Sequence, residues 1–124
     1  MSDLVRVAVN AMGGDYAPVE PVKGAVEAVN ADERVKVQLV GQVDVIEKEL
    51  QKYTYPKERV EIVPATEIIE TGEPPVNAIR HKKDSSIVVG MKKVRCGEAD
   101  AFVSSGSTGA VLVGGQTIVG RIKA

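Results

Sequence analysis

Short valine-rich runs alternate with helix-forming segments along this chain of 124 residues. The apolar runs at 4–11, 35–40 and 60–63 are typical of buried strands. Between them, segments 18–30 and 43–53 place apolar side chains at helical spacing. Because parallel neighbours in a sheet need crossover connections, this alternation predicts an α/β fold. We expect a mainly parallel sheet with helices on both faces, a three-layer and Rossmann-like arrangement.

The two early helices show which side chains should face the core. The apolar stripe of the first helix consists of Val22, Ala25, Val26 and Val29. The stripe of the second consists of Val43, Ile46 and Leu50, which leaves Glu47, Lys48, Glu49 and Lys52 for its solvent-exposed face.

The second half of the chain begins with a proline- and glycine-rich loop at 64–75, and long loops inside compact domains are more often functional than idle. A short helix at 76–82 precedes a longer one, for which Asp84 is the expected N-terminal cap. Gly97 should end that helix in a left-handed conformation. A strand at 101–103 then leads into a last helix through Val111, Ile118 and Val119. No strand follows this helix, although its crossover should lead to one, so residues 1–124 are expected to be a truncated α/β domain.

Composition excludes several classes of protein. Sixteen Lys and Arg residues balance 17 Asp and Glu residues, and four aromatic residues are too few for a base-stacking platform, so we expect no nucleic-acid partner. The single cysteine, Cys96, allows neither an internal disulfide nor a cysteine zinc motif. The sequence shows no membrane span and no secretory signal. We therefore expect a cytoplasmic protein without a structural metal.

A hydroxyl-rich loop follows the last strand and enters the last helix. Its small side chains and backbone amides are suited to binding phosphate at a helix N-terminus. The alternative is a solvent-filled helix cap. The candidate phosphate-binding residues are Ser105, Gly106, Ser107, Thr108 and Gly109.

A second glycine loop leaves the first strand at Gly13, Gly14 and Asp15. The glycines allow close backbone approach to a ligand, and Asp15 could orient a donor or bind a cation. The alternative is a tight turn followed by a helix cap. Neither glycine loop matches the P-loop or the dinucleotide fingerprint, so nothing supports ATP, NAD or another cofactor.

A basic run, Arg80, His81, Lys82 and Lys83, precedes the capped helix. Such a run is usually a solvated charge cluster, but beside an anion site it could attract phosphate or an acidic protein. The motifs leave His81 without a nucleophile to activate, and Cys96 has no evident activating neighbour. The sequence motifs therefore identify no catalytic acid, base or nucleophile.

Three segments, 7–18, 78–86 and 99–110, resemble the bacterial phosphate acyltransferases of phospholipid synthesis, the PlsX family. Two positions depart from the family pattern: this chain has Asn10 where aspartate is usual and Ser107 where asparagine is usual. The resemblance implies that inorganic phosphate attacks the thioester of a long-chain acyl group on acyl carrier protein, without a covalent enzyme intermediate.

The resemblance also assigns roles to the loops. It implies that Ser105 to Gly109 bind phosphate, that Gly13, Gly14 and Asp15 form the opposite wall, and that Arg80, Lys82 and Lys83 face phosphate or the carrier protein. Family members are longer homodimers that work at the membrane periphery and supply a membrane glycerol-phosphate acyltransferase. The resemblance covers only the N-terminal part of these proteins, so residues 1–124 are expected to be the N-terminal portion of one α/β domain and to be inactive alone.

Two other functions stay open from the sequence. The same loops could serve a phosphotransacylase that acts on coenzyme A thioesters. They could also form a non-catalytic module that binds phosphate or a carrier protein.

Overall fold

The computed structural model describes residues 4–12, 17–69 and 74–104. These residues contain four strands: β1 (Val5–Asn10), β2 (Val35–Gly41), β3 (Val60–Pro64) and β4 (Ala101–Val103). They form one sheet in the order β3-β2-β1-β4, and every neighbouring pair is parallel. The predicted α/β class and parallel sheet are confirmed.

Four helices connect these strands within the described ranges: α1 (Val19–Ala31), α2 (Val43–Leu50), α3 (Pro75–His81) and α4 (Ser86–Arg95). A single 3₁₀ turn, Lys57–Arg59, precedes β3. None of the helices in the described part of the chain is long and apolar enough to cross a membrane. The last predicted helix, beyond residue 109, lies outside the described residues.

The two faces of the sheet are covered by different helices. Side chains alternate along a strand, so Val9 and Ala8 of β1 face opposite ways. Val9 packs against the core cluster that contains the buried stripes of α1 and α2. Ala8 belongs to the cluster that Val89 and Val94 of α4 cover. The predicted helices on both faces are therefore confirmed, and all four side chains of the predicted α1 stripe are buried.

The expectation that Glu49 lies on the solvent-exposed face of α2 is wrong. The residue is only 8% exposed, and its Oε1 accepts a hydrogen bond from Lys52 Nζ at 2.7 Å. The ammonium of Lys52, three residues further along, supplies the opposite charge that a buried carboxylate needs. Helix α2 also ends at Leu50, three residues before the predicted end.

The expectation that Asp84 caps α4 is also wrong. Ser85 is the cap, and its Oγ accepts a hydrogen bond from the Val88 N–H at 3.2 Å. Asp84 is turned toward Thr66 instead, whose N–H and Oγ1 donate to Asp84 Oδ2 at 3.0 and 2.6 Å. These hydrogen bonds hold the pKa of Asp84 below its ordinary value. The helix nevertheless ends at Arg95, and Gly97 has the predicted positive φ of 76°.

Candidate functional site

Three segments converge at the carboxyl edge of the sheet. Asn10 is the last residue of β1, Ser104 directly follows β4, and Ser86 is the first residue of α4. Asn10 and Ser86 are 2% and 1% exposed. Buried polar groups need hydrogen-bond partners, and these three side chains partner one another.

Hydrogen bonds to the Asn10 side chain fix its orientation. Asn10 Oδ1 accepts the Met12 N–H at 3.1 Å and the Ser86 hydroxyl at 2.5 Å. Because a backbone N–H can only donate, this atom must be the amide oxygen. The Asn10 Nδ2 group therefore faces Ser104 and donates to its Oγ at 3.0 Å. In these bonds Ser86 is a donor and Ser104 is an acceptor.

The start of α4 is held at this edge by the segment that follows β3. Glu67 pairs with Ser85 in an isolated parallel bridge. The Glu67 N–H donates to the Asp84 carbonyl at 3.1 Å, and the Ser86 N–H donates to the Glu67 carbonyl at 3.2 Å. These backbone bonds place Ser86 where its hydroxyl reaches Asn10.

Both predicted glycine loops begin at this cluster. Met12 directly precedes the loop of Gly13, Gly14 and Asp15, and Ser104 directly precedes the loop that runs from Ser105 to Gly109. Those eight candidate residues lie outside the described residues. The described residue on which each loop starts, however, is hydrogen-bonded to the side chain of Asn10. The residues that directly precede the two loops therefore lie next to each other, at the Asn10 side chain.

The basic run is placed immediately before α4, at the same edge. Arg80, His81 and Lys83 are exposed, whereas Lys82 is half-buried. Lys82 Nζ donates to the Ile68 carbonyl at 2.7 Å. Lys82 thus binds the segment after β3 and has a structural contact that the sequence did not predict.

The cluster around Asn10 is electrically neutral, since it consists of an amide, two hydroxyls and backbone groups. Because these donors are bonded within the cluster, the cluster positions the starts of the two loops and adds no charge there. Within the described ranges, no three His, Cys, Asp or Glu residues are grouped so that they could hold a metal ion.

Sequence reasoning did not find the link between Asn10 and Ser86. One signal was available: Asn10 is an even-numbered position of β1, on the same face as Ala8, and that face is covered by α4. A polar residue at the buried end of such a strand requires a partner from the covering helix.

Comparison with known proteins gives the family. The model of the family described as "Fatty acid synthesis protein" matches residues 5–124. The chain belongs to this family. A protein of Alkaliphilus oremlandii named phosphate acyltransferase is 50% identical over 120 residues, which are 96% of this chain and 35% of that protein.

Two further relatives carry the same name. The phosphate acyltransferase of Halothermothrix orenii is 46% identical over 95% of this chain, and that of Clostridioides difficile is 47% identical over 96%. The resemblance expected from the three sequence motifs is thereby confirmed. The chain spans about a third of the length of each of these members of the fatty acid synthesis protein family, 35% in each case.

Proposed function

We propose that this chain is the phosphate-binding part of an acyltransferase that moves a long-chain acyl group from acyl carrier protein to inorganic phosphate. The products are acyl phosphate and the free carrier protein. One observation supports this most strongly: Asn10 joins the starting points of both glycine loops. Membership of the family and the names of the relatives agree with it.

In the proposed reaction the protein forms no covalent bond with the acyl group or with phosphate. A phosphate oxygen attacks the thioester carbonyl, the new bond joins that oxygen to the acyl carbon, and the carbon–sulfur bond breaks. The carrier sulfur leaves with the electron pair and takes up the proton that the attacking hydrogen phosphate releases. Catalysis then depends on holding phosphate beside the carbonyl and on donors for the tetrahedral oxyanion.

The chain offers groups suited to that task. We assign phosphate binding to Ser105, Gly106, Ser107, Thr108 and Gly109, with Gly13, Gly14 and Asp15 on the opposite side. Asn10 acts as a positioning residue, because its amide fixes where both loops start.

For the carrier protein, we propose that Arg80 and Lys83 provide the docking charges. Both are exposed and lie just before α4, where they can steer an acidic partner toward the carboxyl edge of the sheet. Lys82 lies between them in the sequence, and we propose that it supports this docking surface, because its Nζ donates a hydrogen bond to the Ile68 carbonyl. On the family resemblance alone, we further propose a homodimer that works at the membrane periphery.

The test uses a chimera in which this chain replaces the matching third of the Alkaliphilus oremlandii relative. Long-chain acyl carrier protein and phosphate are supplied, and acyl phosphate is trapped as its hydroxamate. We expect product that requires both substrates. Turnover with coenzyme A thioesters but not with acyl carrier protein would favour the other phosphotransacylase, and saturable phosphate binding without turnover would favour a binding module.

Variants of the chimera test the phosphate loop. Ser107→Ala and Thr108→Ala should each raise the KM for phosphate about tenfold or more, since a hydrogen bond to a charged group contributes roughly 1.5–3 kcal/mol. Thr54→Ala, at an exposed position outside the site, is the matched control. Unchanged phosphate kinetics in both loop variants would contradict the assignment.

A charge reversal tests the docking surface. Arg80→Glu and Lys83→Glu should raise the KM for acyl carrier protein and leave the KM for phosphate unchanged. Lys48→Glu on α2, an exposed lysine of another helix, should change neither. Equal effects of all three variants would show that only net charge matters.

A further inference from the structure

The half-buried side chain of Met12 packs against a glycine of the neighbouring strand. That glycine, Gly41, is the last residue of β2. A Cβ placed on Gly41 would lie 2.6 Å from Met12 Cγ and 2.9 Å from Met12 Sδ. Carbon atoms in favourable contact are about 3.5–4.0 Å apart. The Met12 side chain therefore takes up the space that a side chain at position 41 would need.

The backbone of Gly41 is fixed on the side away from Met12. Gly41 is paired with Pro64 of β3, and its carbonyl accepts a hydrogen bond from the Ala65 N–H at 2.9 Å. A Cβ on Gly41 would also lie 3.2 Å from Ile46 Cδ1, and Ile46 of α2 is fully buried. Packed cores leave little room for such side chains to shift. A side chain added at position 41 would therefore displace Met12.

Met12 is held from both faces of the sheet. Its N–H donates to Asn10 Oδ1 at 3.1 Å, on the face that α4 covers. Gly41 lies two residues after Leu39, so its open side faces the core formed with α1 and α2. The backbone of Met12 is thus fixed on one face and its side chain on the other. The loop of residues 13–15 starts directly after it.

We propose that Met12 is a positioning residue for phosphate binding and that the missing side chain of Gly41 provides the space it needs. The contact between Met12 and Gly41 sets where the first glycine loop starts relative to the sheet. This inference rests on the proposed function, because it takes the two glycine loops as the phosphate site. A displacement of about 1 Å in a positioning group can reduce a rate by about a hundredfold, so one added methyl group at position 41 has a measurable effect.

The first experiment compares two glycine substitutions in the chimera. Equilibrium dialysis with radiolabelled inorganic phosphate measures the Kd, and the turnover assay measures the KM for phosphate and for acyl carrier protein. Gly41→Ala should raise the Kd and the KM for phosphate about tenfold and leave the KM for acyl carrier protein unchanged. Gly24→Ala is the matched control, because a Cβ at this position of α1 would meet no atom within 4 Å. It should change none of the three constants.

A double-mutant cycle tests whether Met12 is the group that Gly41→Ala displaces. Met12→Ala alone should also weaken phosphate binding. In that background the new methyl group at position 41 meets neither Met12 Cγ nor Sδ, so Gly41→Ala should have little further effect on the phosphate Kd. Met12→Leu retains Cγ and a similar volume and should bind phosphate nearly as well as the unsubstituted chimera. Additive effects in the cycle, or equal weakening by Met12→Leu and Met12→Ala, would overturn the proposal.

A merely structural role of Met12 gives a different result. Gly41→Ala would then reduce the folded fraction, which lowers kcat and leaves the KM and Kd for phosphate unchanged, and this result would overturn the proposal. If Gly41→Ala does not fold, Met12→Ala and Met12→Leu decide it. Phosphate binding is measured without acyl carrier protein, so a chimera that binds phosphate but forms no acyl phosphate contradicts the proposed reaction and still tests Met12. A chimera that binds no phosphate contradicts both.

Discussion

Two side-chain pairs join β1 to the chain around β4, one at each end of the sheet. At the amino edge Arg6 pairs with Asp100, and at the carboxyl edge Asn10 pairs with Ser104. Asn10 lies four residues after Arg6, and Ser104 lies four residues after Asp100. Both pairs therefore join residues in the same β1–β4 register. The two pairs differ in chemistry.

The amino-edge pair is charged and open to solvent. Arg6 and Asp100 side chains are 37% and 47% exposed, with a 3.2 Å contact between Arg6 Nη2 and Asp100 Oδ1. The Arg6 N–H also donates to Asp100 Oδ2 at 2.8 Å. The side-chain and backbone bonds from Arg6 hold the pKa of Asp100 below its ordinary value.

The carboxyl-edge pair is neutral, and its Asn10 member is buried. Asn10 satisfies both its oxygen and its nitrogen within the protein, but it does so with groups that begin two loops and one helix. The pairing of β1 with β4 is therefore flanked by opposite charges at the amino edge and by an uncharged cluster, the carboxyl-edge platform, at the carboxyl edge.

The largest expected effect follows from Asn10→Ala. It leaves the Met12 N–H and the Ser86 hydroxyl without their acceptor and removes the donor to Ser104, so the free energy of unfolding should fall by about 2–4 kcal/mol. Urea unfolding followed by circular dichroism measures it. Asn30→Ala is the matched control: Asn30 donates to the Thr54 carbonyl at an exposed position, and its loss should cost less than about 0.5 kcal/mol.

The variant Asn10→Asp tests how much of this loss comes from the missing acceptor oxygen. Aspartate keeps the acceptor oxygens for Met12 and Ser86, and the Ser104 hydroxyl can turn to donate to the other oxygen. We expect a loss smaller than that of Asn10→Ala. A loss of equal or larger size would show that burying a carboxylate at this position costs as much as losing the acceptor.

A smaller effect is expected at the neighbouring serines of α4. Ser85→Ala removes the helix cap and Ser86→Ala removes one hydrogen bond to Asn10, and each should cost about 1 kcal/mol. In the Asn10→Ala background the Ser86 effect should vanish while the Ser85 effect remains, because only Ser86 shares a bond with Asn10. A double-mutant cycle of unfolding free energies measures this; two additive effects would contradict the described network.

Local patterns were sufficient to predict most of the fold. The strand at 101–103 and the buried face of α1 follow from apolar periodicity, which is a property of neighbouring residues. The sequence pattern predicts Asp84 as the cap of α4. It does not show that Thr66, 18 residues earlier, donates a hydrogen bond to the Asp84 carboxylate. The bond from Ser86 to Asn10 spans 76 residues, and only the order of the strands brings such groups together.

The smallest expected effect concerns the pH dependence of the two edges. Since the pKa of Asp100 is depressed in the folded chain, its stabilisation is present at neutral pH and is lost as pH falls below about 4 toward its folded pKa. Asp100→Asn should therefore lower stability slightly at neutral pH and flatten its dependence on acid. Asn10→Ala should lower stability by the same amount at both pH values, because the amide does not titrate. Unfolding midpoints near pH 7 and just below pH 4 distinguish the two variants; an acid-dependent Asn10 effect would show that the carboxyl-edge platform is coupled to a titrating group.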